Sequence, residues 1–171
     1  MFINPTETLK QLNLKKDITA VDIGCGSGGW TLPLARILEK GGVMAVDILE
    51  EPLSALQGKA RSLGLDNIKT IISDIEDGVP QIQSESCDFA LITNVLFQVE
   101  SREVVFQEIS RILKTSGQLL AIDWLPEARI GPKQGKISVA EVKTTASKFG
   151  LRFERELPSE LYHYALLFVK E

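Results

Sequence analysis

Cysteine and histidine are scarce in this sequence. Its 171 residues include two cysteines, Cys25 and Cys87, and one histidine, His163. Two thiols cannot build a disulfide framework or a four-thiolate metal site. The composition therefore argues against a disulfide-stapled secreted protein and predicts no metal site. It fits a reducing compartment, and we expect the protein in the cytoplasm.

Long apolar runs and an excess of positive charge are also missing. No apolar stretch approaches the ~20 residues that span a bilayer, and the first residues lack the basic and apolar regions of a signal peptide. The formal net charge of −4 argues against a nucleic-acid partner, which needs a basic face. With 44% hydrophobic residues, we expect one globular domain over residues 1–171 and no membrane segment.

Short apolar runs alternate with helical patterns along the whole chain. Strands are predicted at residues 18–23, 42–47, 68–73, 87–93, 117–123, 151–157 and 162–170. Helices are predicted at 30–39, at 52–63, after a Ser101 cap, and from a Ser138–Glu141 capping box to Gly150. The apolar stripe of the third helix is Val105, Ile109, Ile112 and Leu113. This alternation predicts an α/β fold with a mostly parallel sheet covered on both faces.

The end of the chain breaks the alternation. Only four residues, "PSEL", separate the last two predicted strands, which is too short for a parallel crossover. These two strands must therefore be antiparallel to each other.

The stretch "AVDIGCGSGGW" at residues 20–30 combines a glycine-rich turn with an acidic residue, Asp22. The glycines also satisfy G-x-G-x-x-G, with Asp47 about 20 residues beyond, which is the dinucleotide fingerprint. A dinucleotide would place a pyrophosphate on this turn, beside the carboxylate of Asp22. That carboxylate would repel a phosphate, although Asp22 could also simply cap the turn.

Five motifs follow one another along the chain: "VDIGCGSG" (21–28), "AVDI" (45–48), "SDIED" (73–77), "DFALITNVLFQV" (88–99) and "LKTSGQLLAIDW" (113–124). They resemble the motifs of the class I S-adenosylmethionine-dependent methyltransferases, and the pattern is similar to the small type-11 and type-31 proteins. The resemblance covers residues 18–170. It implies a Rossmann-like three-layer sandwich whose seven-stranded sheet has the order 3-2-1-4-5-7-6, with strand 7 antiparallel.

The resemblance also implies a site for S-adenosylmethionine, which becomes S-adenosylhomocysteine. In the family, the residue matching Asp47 accepts hydrogen bonds from the ribose hydroxyls, Ile48 flanks the adenine, and the residue matching Asp74 binds the adenine amino group beside the backbone N–H of Ile75. The alternative for Asp74 is a generic acidic turn with Glu76 and Asp77. The predicted cofactor-binding residues are Asp22, Ile23, Gly24, Cys25, Gly26, Gly28, Asp47, Ile48, Asp74, Ile75 and Asn94.

The acceptor side carries less information. We expect a small-molecule acceptor, since the Pro-Pro-aromatic stretch of the amino-methylating nucleobase and glutamine enzymes does not follow Asn94. The catalytic candidates are Asn94, Asp123 and His163, with His163 expected on a solvated or helix-packed face. An acceptor pocket is predicted among Asn94, Phe97, Trp124, Glu127 and Tyr162 or Tyr164.

Only 17 residues precede the first predicted strand. We therefore expect the pocket to be closed by residues 126–137 or by the second subunit of a homodimer. Two alternatives to a methyltransferase stay open: a cofactor-binding regulatory module without turnover, and an NAD(P)-dependent oxidoreductase.

Overall fold

A seven-stranded sheet forms the centre of the protein, seen in a computed structural model that describes residues 3–171. Its strands are β1 (Thr19–Ile23), β2 (Gly42–Asp47), β3 (Ile68–Ile72), β4 (Cys87–Thr93), β5 (Leu113–Trp124), β6 (Leu151–Glu156) and β7 (His163–Lys170). The order is β3-β2-β1-β4-β5-β7-β6, and β7 is antiparallel to both β5 and β6. The predicted strand order and the reversed last strand are confirmed.

Five helices flank the sheet: α1 (Pro5–Lys10), α2 (Thr31–Ile37), α3 (Glu50–Ser62), α4 (Arg102–Ile112) and α5 (Val139–Ser147). The side chain of Ser101 accepts a hydrogen bond from the N–H of Val104, and Ser138 and Glu141 form the predicted capping box. The short helix α1 has no counterpart in the prediction. The other helices lie within a few residues of their predicted bounds. No helix in residues 3–171 is long and apolar enough to cross a membrane.

Strand β5 begins earlier than the sequence pattern predicts. Leu113 was expected to complete the apolar stripe of α4, but its backbone is extended (φ −71°, ψ 139°) and it pairs with Cys87 of β4. The register then shifts, so that Phe89 pairs with Gln118. Leu113 is fully buried in this position. The prediction was wrong because burial alone does not distinguish the last residue of a helix from the first residue of a strand.

The apolar residues pack on both sheet faces, which gives three layers. On one face α4 and α5 contribute Phe106, Ile109 and Val142 to a core that includes Tyr164. On the other face α1 and α2 contribute Leu9 and Leu34. Because the first five strands are parallel, their carboxyl ends meet at one edge of the sheet, where open α/β sheets bind ligands.

Candidate cofactor and active site

A cleft of about 540 Å³ opens at the carboxyl ends of β1 to β4. It lies where the strand order changes direction, between β1 and β4. Among the predicted site residues, those that line the cleft are Ile23, Gly24, Gly26, Asp47, Ile48, Asp74, Ile75 and Asn94. The fold thus brings together residues that are up to 71 positions apart in the sequence.

The glycine-rich turn after β1 is held against the end of β2. The N–H groups of Gly24 and Cys25 both donate to the carbonyl of Val46, at 2.8 and 3.0 Å, and Gly26 N–H donates to Oδ2 of Asp47 at 2.8 Å. Gly24 has φ +69°, and a Cβ there would overlap the side chain of Val95. The turn therefore needs glycine at this position for both conformation and space.

Asp22 lies beneath this turn and is fully buried. Its Oδ2 accepts a hydrogen bond from the Thr31 hydroxyl at 2.6 Å, while Oδ1 has no hydrogen-bond partner within residues 3–171. Burial raises the pKa of Asp22 to about 7, the hydrogen bond from Thr31 lowers it, and the charge of Asp47 raises it further. A buried oxygen without a partner is an acceptor available to a cationic group or a bridging water.

Asp47 ends β2 and lines the cleft. Its two oxygens accept the N–H groups of Gly26, at 2.8 Å, and Leu49, at 3.0 Å. Each carboxylate oxygen can accept about two hydrogen bonds, so both keep capacity for a ligand hydroxyl. The next residue, Ile48, is 61% exposed, although it is a large apolar side chain. Asp47 thus fixes the glycine-rich turn, and beside it an apolar surface faces the cleft.

Asp74 and Ile75 form the third part of the cleft wall, after β3. Oδ1 of Asp74 accepts the N–H of Glu76 at 2.9 Å and caps the short 3₁₀ turn Ile75–Asp77. Asp74 thus belongs to the acidic turn with Glu76 and Asp77 that was left open as its alternative role, but the cap occupies only one carboxylate oxygen. Capping and ligand binding are therefore compatible at Asp74.

Asn94 follows β4 in a left-handed conformation, with φ +56°. Its N–H donates to the carbonyl of Ile122 at 2.9 Å, and its carbonyl accepts the side-chain amide of Gln98 at 3.1 Å. A non-glycine residue with this φ is uncommon and is enriched at ligand sites. Its exposed side chain lies at the cleft.

Three predicted cofactor residues do not line the cleft. The side chain of Cys25 is buried with Ala45, Leu53 and Leu56, where burial raises the pKa of its thiol far above the usual range. Gly28 packs against Leu56, and Asp22 is buried below the turn. Glu76 and Gln98 also line the cleft, although neither is among the predicted site residues. Glu76 lies inside the quoted "SDIED" motif, which was the available signal.

Within residues 3–171, the charged residues that line the cleft are all acidic. The lining includes the carboxylates of Asp47, Asp74 and Glu76, and none of the lining residues within the described chain is lysine, arginine or histidine. A dinucleotide pyrophosphate would meet carboxylates and no cation here. A ligand that carries positive charge suits the same lining.

The expected acceptor residues do not form a common pocket with the cleft. Of them, only Asn94 lines it. Trp124 instead packs against the ring of His163, with ring centroids 4.1 Å apart, and a Cβ on Gly131 would overlap the Trp124 ring. Tyr164 is fully buried in the core beside α4 and α5. Glu127 and Tyr162 also lie outside the cleft lining.

Of the two positions expected for His163, a solvated or a helix-packed face, the solvated one is wrong. The side chain is only 4% exposed because Trp124 covers it, and this burial lowers its pKa. The expected mobile segment 126–137 is packed onto neighbouring residues: the Arg102 guanidinium donates to the carbonyls of Leu96, at 3.0 Å, and Gly135, at 2.7 Å.

The family of the chain follows from comparison with known proteins. Residues 14–155 match a family model described as a methyltransferase domain, of type 31. The chain belongs to this family. Its fold is that of a class I methyltransferase domain.

Curated and solved relatives agree with this assignment. A demethylmenaquinone methyltransferase from Bacillus pumilus is 28% identical over 130 residues, covering 75% of this chain. The chain spans 55% of the length of that relative. A SAM-dependent methyltransferase from Aquifex aeolicus is 26% identical, with a TM-score of 0.89, covering 99% of this chain and 91% of that chain.

A more distant structure shows the fold alone. A geranyl diphosphate C-methyltransferase from Streptomyces coelicolor, in complex with Mg²⁺, geranyl-S-thiolodiphosphate and S-adenosyl-L-homocysteine, has a TM-score of 0.83 at 17% identity. It covers 98% of this chain and 75% of that chain. The methyltransferase domain architecture is thus retained although most residues differ.

Proposed function

We propose that this methyltransferase domain binds S-adenosylmethionine in the 540 Å³ cleft and catalyses methyl transfer to a small-molecule acceptor. The observation that carries the proposal is the charge of the site. Three carboxylates line the cleft, and a fourth, Asp22, lies buried below the glycine-rich turn with an oxygen that lacks a partner among the described residues. S-adenosylmethionine brings an ammonium and a sulfonium, whereas NAD(P) brings a pyrophosphate.

The proposed roles follow from position. Gly24 and Gly26 allow the methionine part to approach the backbone, and Oδ1 of Asp22 is the acceptor available for its ammonium or a bridging water. Asp47 binds the ribose hydroxyls with its remaining acceptor capacity. The second oxygen of Asp74 accepts the adenine amino group, and Ile48 and Ile75 supply apolar contacts to the ring.

Asn94 is predicted both to bind the cofactor and to contact the methyl acceptor. It lines the cleft in a strained backbone conformation at the end of β4. The bound cofactor supplies a methyl group on a good leaving group, so that the chain mainly has to hold the acceptor in line and exclude water. His163 is buried against Trp124 and lies outside the cleft lining, which argues against it as the base.

A small organic acceptor is supported by the curated relatives, which are named demethylmenaquinone methyltransferases. The proposal extends only to the class, since the chain spans about half of their length. A cytoplasmic location is supported by Cys25 and Cys87, which are both free and buried. A second subunit that closes the acceptor side, as in a homodimer, stays a prediction.

A thermal-shift titration tests the cofactor. We expect S-adenosylmethionine and S-adenosylhomocysteine to raise the melting temperature by mass action, and NAD and NADP at the same concentration to leave it unchanged. A shift with the nicotinamide cofactors alone would favour the oxidoreductase. A shift with S-adenosylmethionine but no transfer across a broad panel of acceptors would favour the regulatory module.

A further inference from the structure

The connection from β4 to α4, residues 94–101, forms one wall of the cleft, and we call it the 94–101 segment. Asn94, Val95, Gln98 and Val99 of this segment line the cleft. The segment is neither helix nor strand. Gln98 N–H donates to the Val95 carbonyl at 3.0 Å within it. Asn94 N–H donates to the Ile122 carbonyl of β5 at 2.9 Å. The placement of its remaining backbone depends on hydrogen bonds to side chains of other elements. The side chains that supply those bonds are Glu76, Asp123 and Arg102.

Glu76 holds the far end of the segment. Its two carboxylate oxygens accept the N–H groups of Ser101, at 2.6 Å, and Glu100, at 3.1 Å. Glu76 also lines the cleft, and a substitution there would change the cleft surface as well as the segment. Its effect on ligand binding could therefore not be assigned to positioning alone.

Asp123 holds the middle of the segment from the end of β5. Its Oδ1 accepts the N–H of Trp124 at 2.7 Å, which orients the carboxylate, and its Oδ2 accepts the N–H of Phe97 at 3.3 Å. Asp123 is fully buried and is absent from the lining of the cleft. It therefore reaches the site only through the backbone that it holds.

Arg102 completes the arrangement from the other side. Its Nε donates to the carbonyl of Leu96, so that the single peptide group between Leu96 and Phe97 is bound by a guanidinium at its carbonyl and by the Asp123 carboxylate at its N–H. Hydrogen bonds to charged groups are stronger than those between neutral groups. Such bonds suit a segment that has to keep Asn94 in a left-handed conformation.

We propose that Asp123 is a positioning residue that fixes the 94–101 segment against the cofactor cleft, and that it does not act as the base of methyl transfer. This inference rests on the proposed function for its ligand. Both oxygens of Asp123 accept backbone N–H groups, and the carboxylate lies away from the cleft. Its contribution to the reaction is the placement of Asn94, Val95 and Gln98.

The decisive variant is Asp123→Asn, with Tyr164→Phe as its matched control. Asparagine keeps the size of the side chain, removes the charge and leaves one acceptor oxygen for two N–H groups. Tyr164 pairs with Asp123 across β5 and β7, is equally buried, and its hydroxyl has no hydrogen-bond partner within the described chain. Tyr164→Phe therefore changes a buried side chain beside Asp123 without removing a hydrogen bond to the 94–101 segment.

We expect Asp123→Asn to raise the dissociation constant of S-adenosylhomocysteine by roughly tenfold, as for the loss of a hydrogen bond to a charged group. Amide hydrogen exchange of residues 96–98 should accelerate at least as much, while β1 amides keep their protection. The control should leave both quantities within about twofold, below the smallest hydrogen-bond effects. Unchanged affinity for Asp123→Asn, or an equal loss in Tyr164→Phe, would overturn the proposal.

A second measurement uses the wild-type chain and does not depend on the variant folding. In an NMR titration, the amide protons of Phe97 and Trp124 should shift with the same midpoint as the Asp123 carboxyl carbon. The other charged or titratable groups near Asp123 and its two reporter amides are Tyr164 and His163 on β7, Arg102 on α4 and Glu141 on α5. Because His163 stacks on Trp124, the amide of Phe97 is the deciding signal. A Phe97 amide that does not follow the carboxyl carbon would contradict the proposal.

The two proposals fail separately. If the wild-type chain does not bind S-adenosylhomocysteine, the proposed function is wrong, while exchange at residues 96–98 and the titration still test whether Asp123 holds the segment. If the wild type binds and Asp123→Asn binds equally well, only the positioning role is lost.

Discussion

Asp47 shows how one side chain serves both the fold of the site and its proposed ligand. Its oxygens accept the N–H groups of Gly26 and Leu49, which places the glycine-rich turn beside the end of β2. The sequence predicted an acidic residue at a strand end but could not reveal these two bonds, because Gly26 and Asp47 are 21 positions apart and meet only when β1 and β2 pair.

Replacing Asp47 with alanine should weaken the binding of S-adenosylhomocysteine by roughly 1.5–3 kcal/mol, the range for hydrogen bonds to a charged group. Titration calorimetry measures this loss. A 2′,3′-dideoxy analogue separates the two roles, because it lacks the ribose hydroxyls but still needs the turn. If Asp47→Ala weakens the analogue as much as the full ligand, Asp47 acts only through the turn.

For other residues, the sequence could not predict whether the side chain faces the cleft or the core. The motif at residues 21–28 pointed to Gly24 and Gly26, which line the cleft, and equally to Cys25 and Gly28, which pack into the core. A motif gives the residues of a turn but does not say which of them face inward. Likewise, alternation along β7 could not show that Trp124 would cover His163, because that contact joins two strands.

At the scale of elements, the glycine-rich turn is packed onto α3. Gly28 has φ +91°, and a Cβ there would overlap Leu56 of α3, while Lys59 of α3 donates to the carbonyl and hydroxyl of Ser27, at 3.0 and 2.9 Å. Gly26 also has a positive φ, +52°, but a Cβ there meets nothing within 4 Å, and Gly26 lines the cleft. Glycine is therefore needed at position 28 for packing against Leu56, whereas at position 26 it leaves space in the cleft.

Three alanine substitutions distinguish the packing of the turn against α3 from the space it leaves for a ligand. Gly28→Ala should lower the free energy of unfolding by about 2–4 kcal/mol, since strain from the left-handed backbone adds to overpacking against Leu56. Gly26→Ala should cost only about 1–2 kcal/mol of stability but should weaken S-adenosylhomocysteine binding. Gly29 has an ordinary φ and open space, so Gly29→Ala is the control. Urea denaturation and calorimetry measure both quantities, and equal stability losses for Gly26→Ala and Gly28→Ala would contradict the packing argument.

Element prediction succeeded where periodicity and caps were both present. The Ser138–Glu141 box and the Ser101 cap were readable because their residues are close in sequence. Helix α1 has six residues, too few for an apolar period to emerge. The segment 126–137 looked mobile from its glycines, but Gly131 and Gly135 leave room for Trp124 and Phe97, and this close packing depends on tertiary contacts.

At the scale of the whole molecule, buried carboxyls set how stability depends on pH. Burial raises the pKa of Asp22 to about 7 and that of Asp123 to about 6, both from 3.8. The folded chain thus binds these protons more tightly than the unfolded chain. Stability therefore falls as pH rises above about 4, up to about pH 7 for Asp22 and about pH 6 for Asp123, by up to about 1.4 kcal/mol per pH unit for each carboxyl. His163, whose pKa burial lowers, acts in the opposite direction. Asp88, Glu108 and Glu141, whose pKa values are also lowered, do so mainly below about pH 4.5.

The proposed cofactor should change this dependence through Asp22. An ammonium near the partnerless Oδ1 favours the ionised carboxylate, so the complex should lose less stability than the free chain as the pH rises. We therefore expect saturating S-adenosylhomocysteine to raise the melting temperature more at pH 8 than at pH 5.5.

Asp22→Asn carries no titrating carboxyl at this position. It should be at least as stable as the wild type at pH 8 without ligand, bind the ligand more weakly, and show the same ligand shift at both pH values. Differential scanning calorimetry at the two pH values measures all of these quantities. A wild-type ligand shift that is equal at both pH values would leave Asp22 with its hydrogen bond from Thr31 alone. The cationic end of the cofactor would then have to be held by the carboxylates that line the cleft.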